Sequence, residues 1–98
     1  MLLAHAVTLS EARSYVAALA DNARTFDASV GYEYVLFELD RIHGAEIPPI
    51  TEVLTDKRDV LYTVAEAAIE ELVDHGVDGL QVELVLARLE DARALDRP

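Results

Sequence analysis

Asp78-Gly79-Leu80-Gln81-Val82-Glu83-Leu84-Val85-Leu86-Ala87-Arg88-Leu89 is the run where a helical and a strand architecture part company. Leu80-Gln81-Val82-Glu83-Leu84 alternates with the period of a half-buried strand, and Tyr32-Glu33-Tyr34 does the same. The continuation favours helix: Ala87 to Leu95 consists largely of strong helix formers, and no turn signal separates it from what precedes. Asp78 and Gln81 also have the spacing of a capping box, in which each side chain satisfies an amide at the start of a helix. A helix over about 79–95 follows. At about 100° per residue it carries apolar residues on two opposed flanks, Val82/Val85/Leu86/Leu89 and Leu80/Leu84/Ala87.

Working back from Asp78, Gly76 closes a third helix over about 56–75, capped by Thr55 or Asp56. Its inner face is Leu61, Val64, Ala65, Ala68 and Leu72, widened by Tyr62, Ile69 and Val73. Pro48-Pro49 cannot continue a helix and imposes an extended connection, with Thr51 to Leu54 as a single added helical turn. The second helix covers about 30–43 and stops at Gly44. It too has two apolar flanks, Tyr32/Val35/Leu36/Leu39/Ile42 and Val30/Tyr34/Phe37. The first covers about 9–26, opened by a capping box at Thr8-Leu9-Ser10-Glu11. Leu9, Ala12, Tyr15, Val16, Leu19, Ala23 and Phe26 share its inner sector, with Ser10, Ser14, Asp21 and Asn22 opposite. The expected fold is all-α: one domain over 1–98, a bundle of four principal helices, built as two helical hairpins joined by the Pro-Pro linker.

The 98 residues include 19 acids against 8 bases, a net charge of −11. That field repels phosphate backbones and anionic membranes, and Lys57-Arg58 is the only adjacent basic pair, so nucleic-acid and membrane partners are disfavoured. A basic protein surface is attracted instead. The absence of cysteine removes disulfides and thiolate metal sites. Met1 to Val7 lacks a basic start and turns polar too soon for a signal or a membrane span, which makes a cytoplasmic location the expectation.

Motifs for phosphate cradling, nucleophilic catalysis and metalloprotease chemistry are absent, and no cofactor is expected. Asp74, Asp78 and Gly79 match the first, fifth and sixth positions of a calcium loop, but its third and twelfth positions are Gly76 and Val85, so the closing carboxylate is missing. Asp40 with His43, and Glu71 with His75, have helical spacings used by metal-binding bundles, which makes a metal-dependent helical enzyme the alternative reading. Both histidines also sit in last turns, where the helix dipole alone favours them. His5 reads as a terminal residue without a role.

Glu66, Glu70 and Asp74 recur at i, i+4 with Glu71 alongside, an arrangement that costs a helix about 0.2–0.5 kcal/mol per like-charged pair. The row is a solvated face, or an internal arginine (Arg13, Arg24 or Arg88) compensates it, or a basic partner does. Together with Tyr62 these acids form the expected partner-binding face. The second flanks of the second and fourth helices, Val30, Tyr34, Phe37, Leu80, Leu84 and Ala87, form the expected oligomer interface, most simply of a homodimer.

In size, acidity and helix number the chain resembles, in type and not in sequence, the immunity proteins that neutralise colicin-type nucleases. Asp59-Val60-Leu61-Tyr62 matches the first half of their Asp-x-x-Tyr-Tyr-Pro signature, while Thr63-Val64 departs from the second half. The resemblance implies that an acidic helical bundle can act as an inhibitor of a basic protein. The expected function is accordingly a non-enzymatic interaction module, an inhibitor, antitoxin-like partner or regulatory subunit, with a structural assembly subunit as a further alternative.

Overall fold

The computed structural model, which describes residues 1–97, consists of α1 (Leu3–Asp21), α2 (Phe26–His43), α3 (Arg58–Glu71) and α4 (Gly79–Leu95), with a 3-10 turn, Leu72–His75, extending α3. No strand occurs among the described residues, so the alternating runs at Tyr32 and Leu80 are helical. They alternate because each helix has apolar residues both facing the core and facing away from it.

α4 starts where its sequence places it, the Asp78 carboxylate accepting from the Leu80 amide at 2.9 Å, but the reciprocal Asp78–Gln81 bonds of a capping box do not form among the described residues. α2 starts earlier than the apolar pattern suggests. Thr25 caps it by accepting from the Ala28 amide at 3.0 Å, so the break falls at Asn22 to Thr25 instead of Asp27 to Ser29. Phe26 therefore opens α2 and is exposed, where the sequence placed it on the inner face of the first helix.

α1 also begins earlier, and Thr8 does not cap it. The buried face runs back through Thr8 to the half-buried His5, whose polar groups hide it from a reading built on hydrophobicity. α3 begins at Arg58 with no side-chain cap, and Thr51 to Leu54 is extended instead of helical. Past the 3-10 turn, Gly76 takes φ of 92°, a conformation only glycine adopts at little cost, and its amide bonds the Val73 carbonyl at 3.1 Å.

Contacts at the helix ends give the directions. The start of α1 meets the ends of α2 and of the 3-10 turn, through His5 to His43 and Thr8 to His75. The start of α2 meets the end of α4, where the Thr25 hydroxyl donates to the Leu95 carbonyl at 2.8 Å. Helices α1 and α3 pack most extensively, followed by α2 with α4 and α1 with α2, whereas α3 and α4 touch least. Neighbours are antiparallel, and the diagonal pairs are parallel.

Because α2 and α3 point the same way, the chain must return the length of the bundle between them. An 18-residue helix is about 27 Å long, so the return needs about eight extended residues or more. Residues 44–57 supply it. The two prolines suit this strap, which lies along α1: Ser10 donates to the Pro49 carbonyl at 3.2 Å, Arg13 donates to the Pro48 carbonyl, and the Thr51 amide donates to Ser14 at 2.9 Å. The polar flank of α1 is thus covered by chain, and Ser14 is buried there, contrary to the solvent-facing position its pattern implied.

Leu9, Val16, Leu19, Tyr32, Val35, Leu39, Leu61, Ile69, Leu72, Val85 and Leu89 fill the core. Each fully buried aliphatic side chain contributes about 1.5–3 kcal/mol.

Candidate functional site

The outward flanks of α2 and α4 carry unpartnered apolar surface, as do Leu2, Leu3 and Val7 around the start of α1 and Leu54 of the strap. Tyr34, Phe37, Leu80 and Leu84 are 58, 62, 67 and 62 % exposed. Ala87 is exposed and Val30 half-buried, so all six residues of the sequence-derived seam reach the surface. The reason lies in the helical period: Val35 and Leu39 on α2, and Val85 and Leu89 on α4, occupy the core flank and turn these residues away. Gly31 lies against Ala92, while Ile42 and Gln81 border one hollow at the opposite end, so the two seams run side by side in antiparallel register.

Val30, Glu33, Tyr34 and Phe37 outline a shallow open hollow of about 340 Å³. Glu33 and Glu83 are exposed beside the seams. Two cations lie nearby: Arg41 donates to Glu38 at 2.8 Å, a bond that holds the Glu38 carboxyl below its ordinary range, and the exposed Arg88 of α4 acts on Glu38 in the same direction. Glu33, Glu38 and Glu83 outnumber these two arginines around the apolar surface.

Glu66, Glu70, Glu71 and Asp74 lie on α3 and the 3-10 turn; Glu66 is half-buried and the others are exposed. None of the ion pairs among the described residues involves them. Arg13, one of the internal arginines considered for that role, binds Asp40. The tighter 3-10 winding also turns Asp74 off the line of Glu66 and Glu70.

Tyr62, which the sequence placed on the partner face, is buried. Its ring is 5 % exposed, with the Arg93 guanidinium 4.2 Å above its centroid. Burial, and then the charge of Glu66, push its hydroxyl above the ordinary value; Glu90 of α4 acts in the same direction. Glu66 and Glu90 thus both border Tyr62, and the acidic row of α3 adjoins the flank of α4.

The four residues considered for a metal site do not assemble as one. Asp40 binds Arg13 at 2.8 Å, with the Pro48 carbonyl completing the arginine's partners. Glu71 accepts from the Thr8 hydroxyl at 3.5 Å, and His75 lies 3.2 Å from the same hydroxyl. His43 meets His5, the residue to which the sequence assigned no role. Among the described residues no group of three or more His, Asp or Glu side chains is arranged to hold a metal ion. Nothing local in the sequence marks the meeting of His5, His43 and His75; their sole signal is that all three sit near helix termini.

A larger groove of about 660 Å³ lies between α1 and the strap, from Ala6 and Val7 to Thr55. Its inner polar groups, Ser14 and Thr51, bond one another. Among the described residues no helix is long and apolar enough to cross a membrane. No family model matches the chain, nor does any curated protein or solved structure.

Proposed function

We propose that this chain is a non-enzymatic protein-interaction module that takes a basic, amphipathic partner on the outer face of α2 and α4, in the manner of an inhibitor or regulatory subunit. The observation that carries the reading is the side-by-side placement of Tyr34/Phe37 and Leu80/Leu84 on adjacent antiparallel helices, directed away from the core. Large apolar side chains grouped on one side of a small protein are characteristic of interaction surfaces. Aromatic and leucine anchors at helical spacing suit an apolar helix laid alongside.

Charge selects the partner. A second copy of the chain brings another −11 to the contact, whereas a lysine-rich helix meets Glu33 and Glu83 with opposite sign. The unpaired acids Glu66 and Glu70, beside α4, extend the same field. This reading expects attraction at long range from the acids and affinity at short range from the apolar anchors.

A fluorescently labelled amphipathic Leu/Lys helical peptide, with a Leu/Glu peptide of equal length as control, tests the reading by anisotropy. Binding of the Leu/Lys peptide alone, weakened by salt and abolished by Phe37→Glu with Leu84→Glu, is the expected result. Binding of both peptides alike, or binding indifferent to those substitutions, overturns it. A dimer at micromolar concentration in sedimentation, dispersed by the same substitutions, assigns the face to a second copy instead.

A further inference from the structure

We propose that His5, His43 and His75 form an acid-sensitive latch, which docks the first turns of α1 on the ends of α2 and the 3-10 turn and releases them when His5 and His43 are both protonated. These are all the histidines of the chain, and the fold brings them to one end of the bundle. The Nε2 atoms of His5 and His43 are 3.0 Å apart, and the ring of His75 stacks on that of His5 with centroids 5.4 Å apart and planes 7° from parallel.

The hydrogen positions follow from the partners. His43 Nδ1 lies 2.7 Å from the Leu39 carbonyl oxygen, which only accepts, so Nδ1 carries a hydrogen. In the neutral ring Nε2 is then a bare acceptor, and His5 must donate to it from its own Nε2. On the other side, the Thr8 hydroxyl donates to Glu71, so His75 Nε2 donates to Thr8. Each imidazole is held by a bond that fixes its tautomer.

A first added proton fits on His5 Nδ1 and leaves the bond between the two rings intact. A second, on His43 Nε2, sets two N–H donors face to face at 3.0 Å with nothing to accept. With His5 neutral and its hydrogen on Nδ1, His43 and His75 can both carry charge, since His43 Nε2 then donates to His5 Nε2. Once His5 is charged as well, no arrangement keeps that bond, and a charged His75 stacks against a charged His5.

The surrounding charges do not compensate the pair. The Met1 amino group faces the same hollow and is paired with Glu46 at 3.0 Å. Asp78 and Gln81 face it from the start of α4, and Glu71 acts on His75 through Thr8. No carboxylate bonds His5 or His43 among the described residues. Burial first, then His43, His75 and the Met1 amino group, lower the pKa of His5 from its ordinary 6.5. Undocked His5 therefore binds protons more readily than docked His5, so docking is unopposed above pH 6.5 and weakens as the pH falls below it. A metal clamp would draw on the same pair, but among the described residues no third His, Asp or Glu converges with it.

Amide hydrogen exchange with a chelator present, corrected for intrinsic rates, tests the latch at about pH 7.5 and about pH 5. Protection of the amides of Ala6 to Leu9 is expected to fall about tenfold or more at the lower pH, while Val85 and Leu89 keep theirs. His5→Gln, whose side-chain amide donates to the same His43 nitrogen without titrating, is expected to stay protected at both. Equal wild-type protection at the two pH values overturns the proposal. So does a matching loss at Val85 and Leu89, which signals global unfolding, or a loss in His5→Gln as large as in the wild type.

Discussion

Gly31 of α2 faces Ala92 of α4 at so short a distance that a Cβ on Gly31 would stand 2.9 Å from the Ala92 Cβ. A glycine inside a helix costs about 1 kcal/mol relative to alanine, and the close approach of α2 to α4 accounts for its presence. Gly31→Ala recovers that propensity but overpacks the contact, at a cost of about 1–3 kcal/mol. The expected net result is a lower Tm, by about 4–8 °C for each kcal/mol lost in a domain of this size. Adding Ala92→Gly is expected to return part of the loss. A rise in Tm for Gly31→Ala alone would show that the helices have room to spare.

Leu84 and Leu89 are the same residue on the same helix, facing opposite ways. Leu89 is fully buried, so Leu89→Ala is expected to cost about 2–5 kcal/mol in chemical denaturation. Leu84→Ala is expected to change stability by no more than about 0.5 kcal/mol. Equal costs would mean that the outer seam is buried in solution, which sedimentation of the unmutated chain would then register as association.

Arg13 ties α1 to α2 and to the strap at once, donating to Asp40 at 2.8 Å and to the Pro48 carbonyl. The arginine is mostly buried and the aspartate partly exposed, so solvent screens the pair in part. Arg13→Met keeps the apolar stem and loses the bonds, at an expected cost of about 1–3 kcal/mol. Arg13→Lys is expected to recover little, since a single ammonium cannot serve two diverging acceptors as the guanidinium fork does. Urea titration of the two variants side by side checks this.

Tyr32 is buried and its hydroxyl donates to Asp96 at 3.4 Å. Burial, and then the carboxylate, raise its pKa well above the ordinary 10.0. An unfolded Tyr32 loses its proton near pH 10 and the folded one does not, so this residue's contribution is whole below that value and declines as the pH rises past it. Phenolate absorbance is therefore expected to lag behind that of free tyrosine until the chain unfolds. Tyr32→Phe is expected to flatten the alkaline loss of stability; an unchanged alkaline transition would remove Tyr32 from its cause.

The apolar flanks of α4 were readable residue by residue, whereas Phe26 and Val73, expected on the inner faces of the first and third helices, are exposed. Val82, Val85 and Leu89 are buried and Leu80, Leu84 and Ala87 are not, as their spacing required. Where polar residues face inward, the pattern misled: His5, Thr8 and Ser14 belong to buried or half-buried surface, satisfied by partners from the far ends of other segments. Tyr62 departs in the opposite sense: expected at an interface, it is buried with Arg93 over its ring.

Helical periodicity and capping are local properties, written in neighbours within a few residues, and the sequence alone determined from them the all-α class, the start of α4 and the two-sided character of α2 and α4. Which helices become neighbours depends on burial summed over the whole chain and on the length of the strap. Those non-local terms decided the packing of α1 with α3, the pairing of Arg13 with Asp40 and the meeting of His5 with His43. A hydrogen bond across tens of residues leaves no periodic trace, because it is made only after the backbone has been folded by other forces.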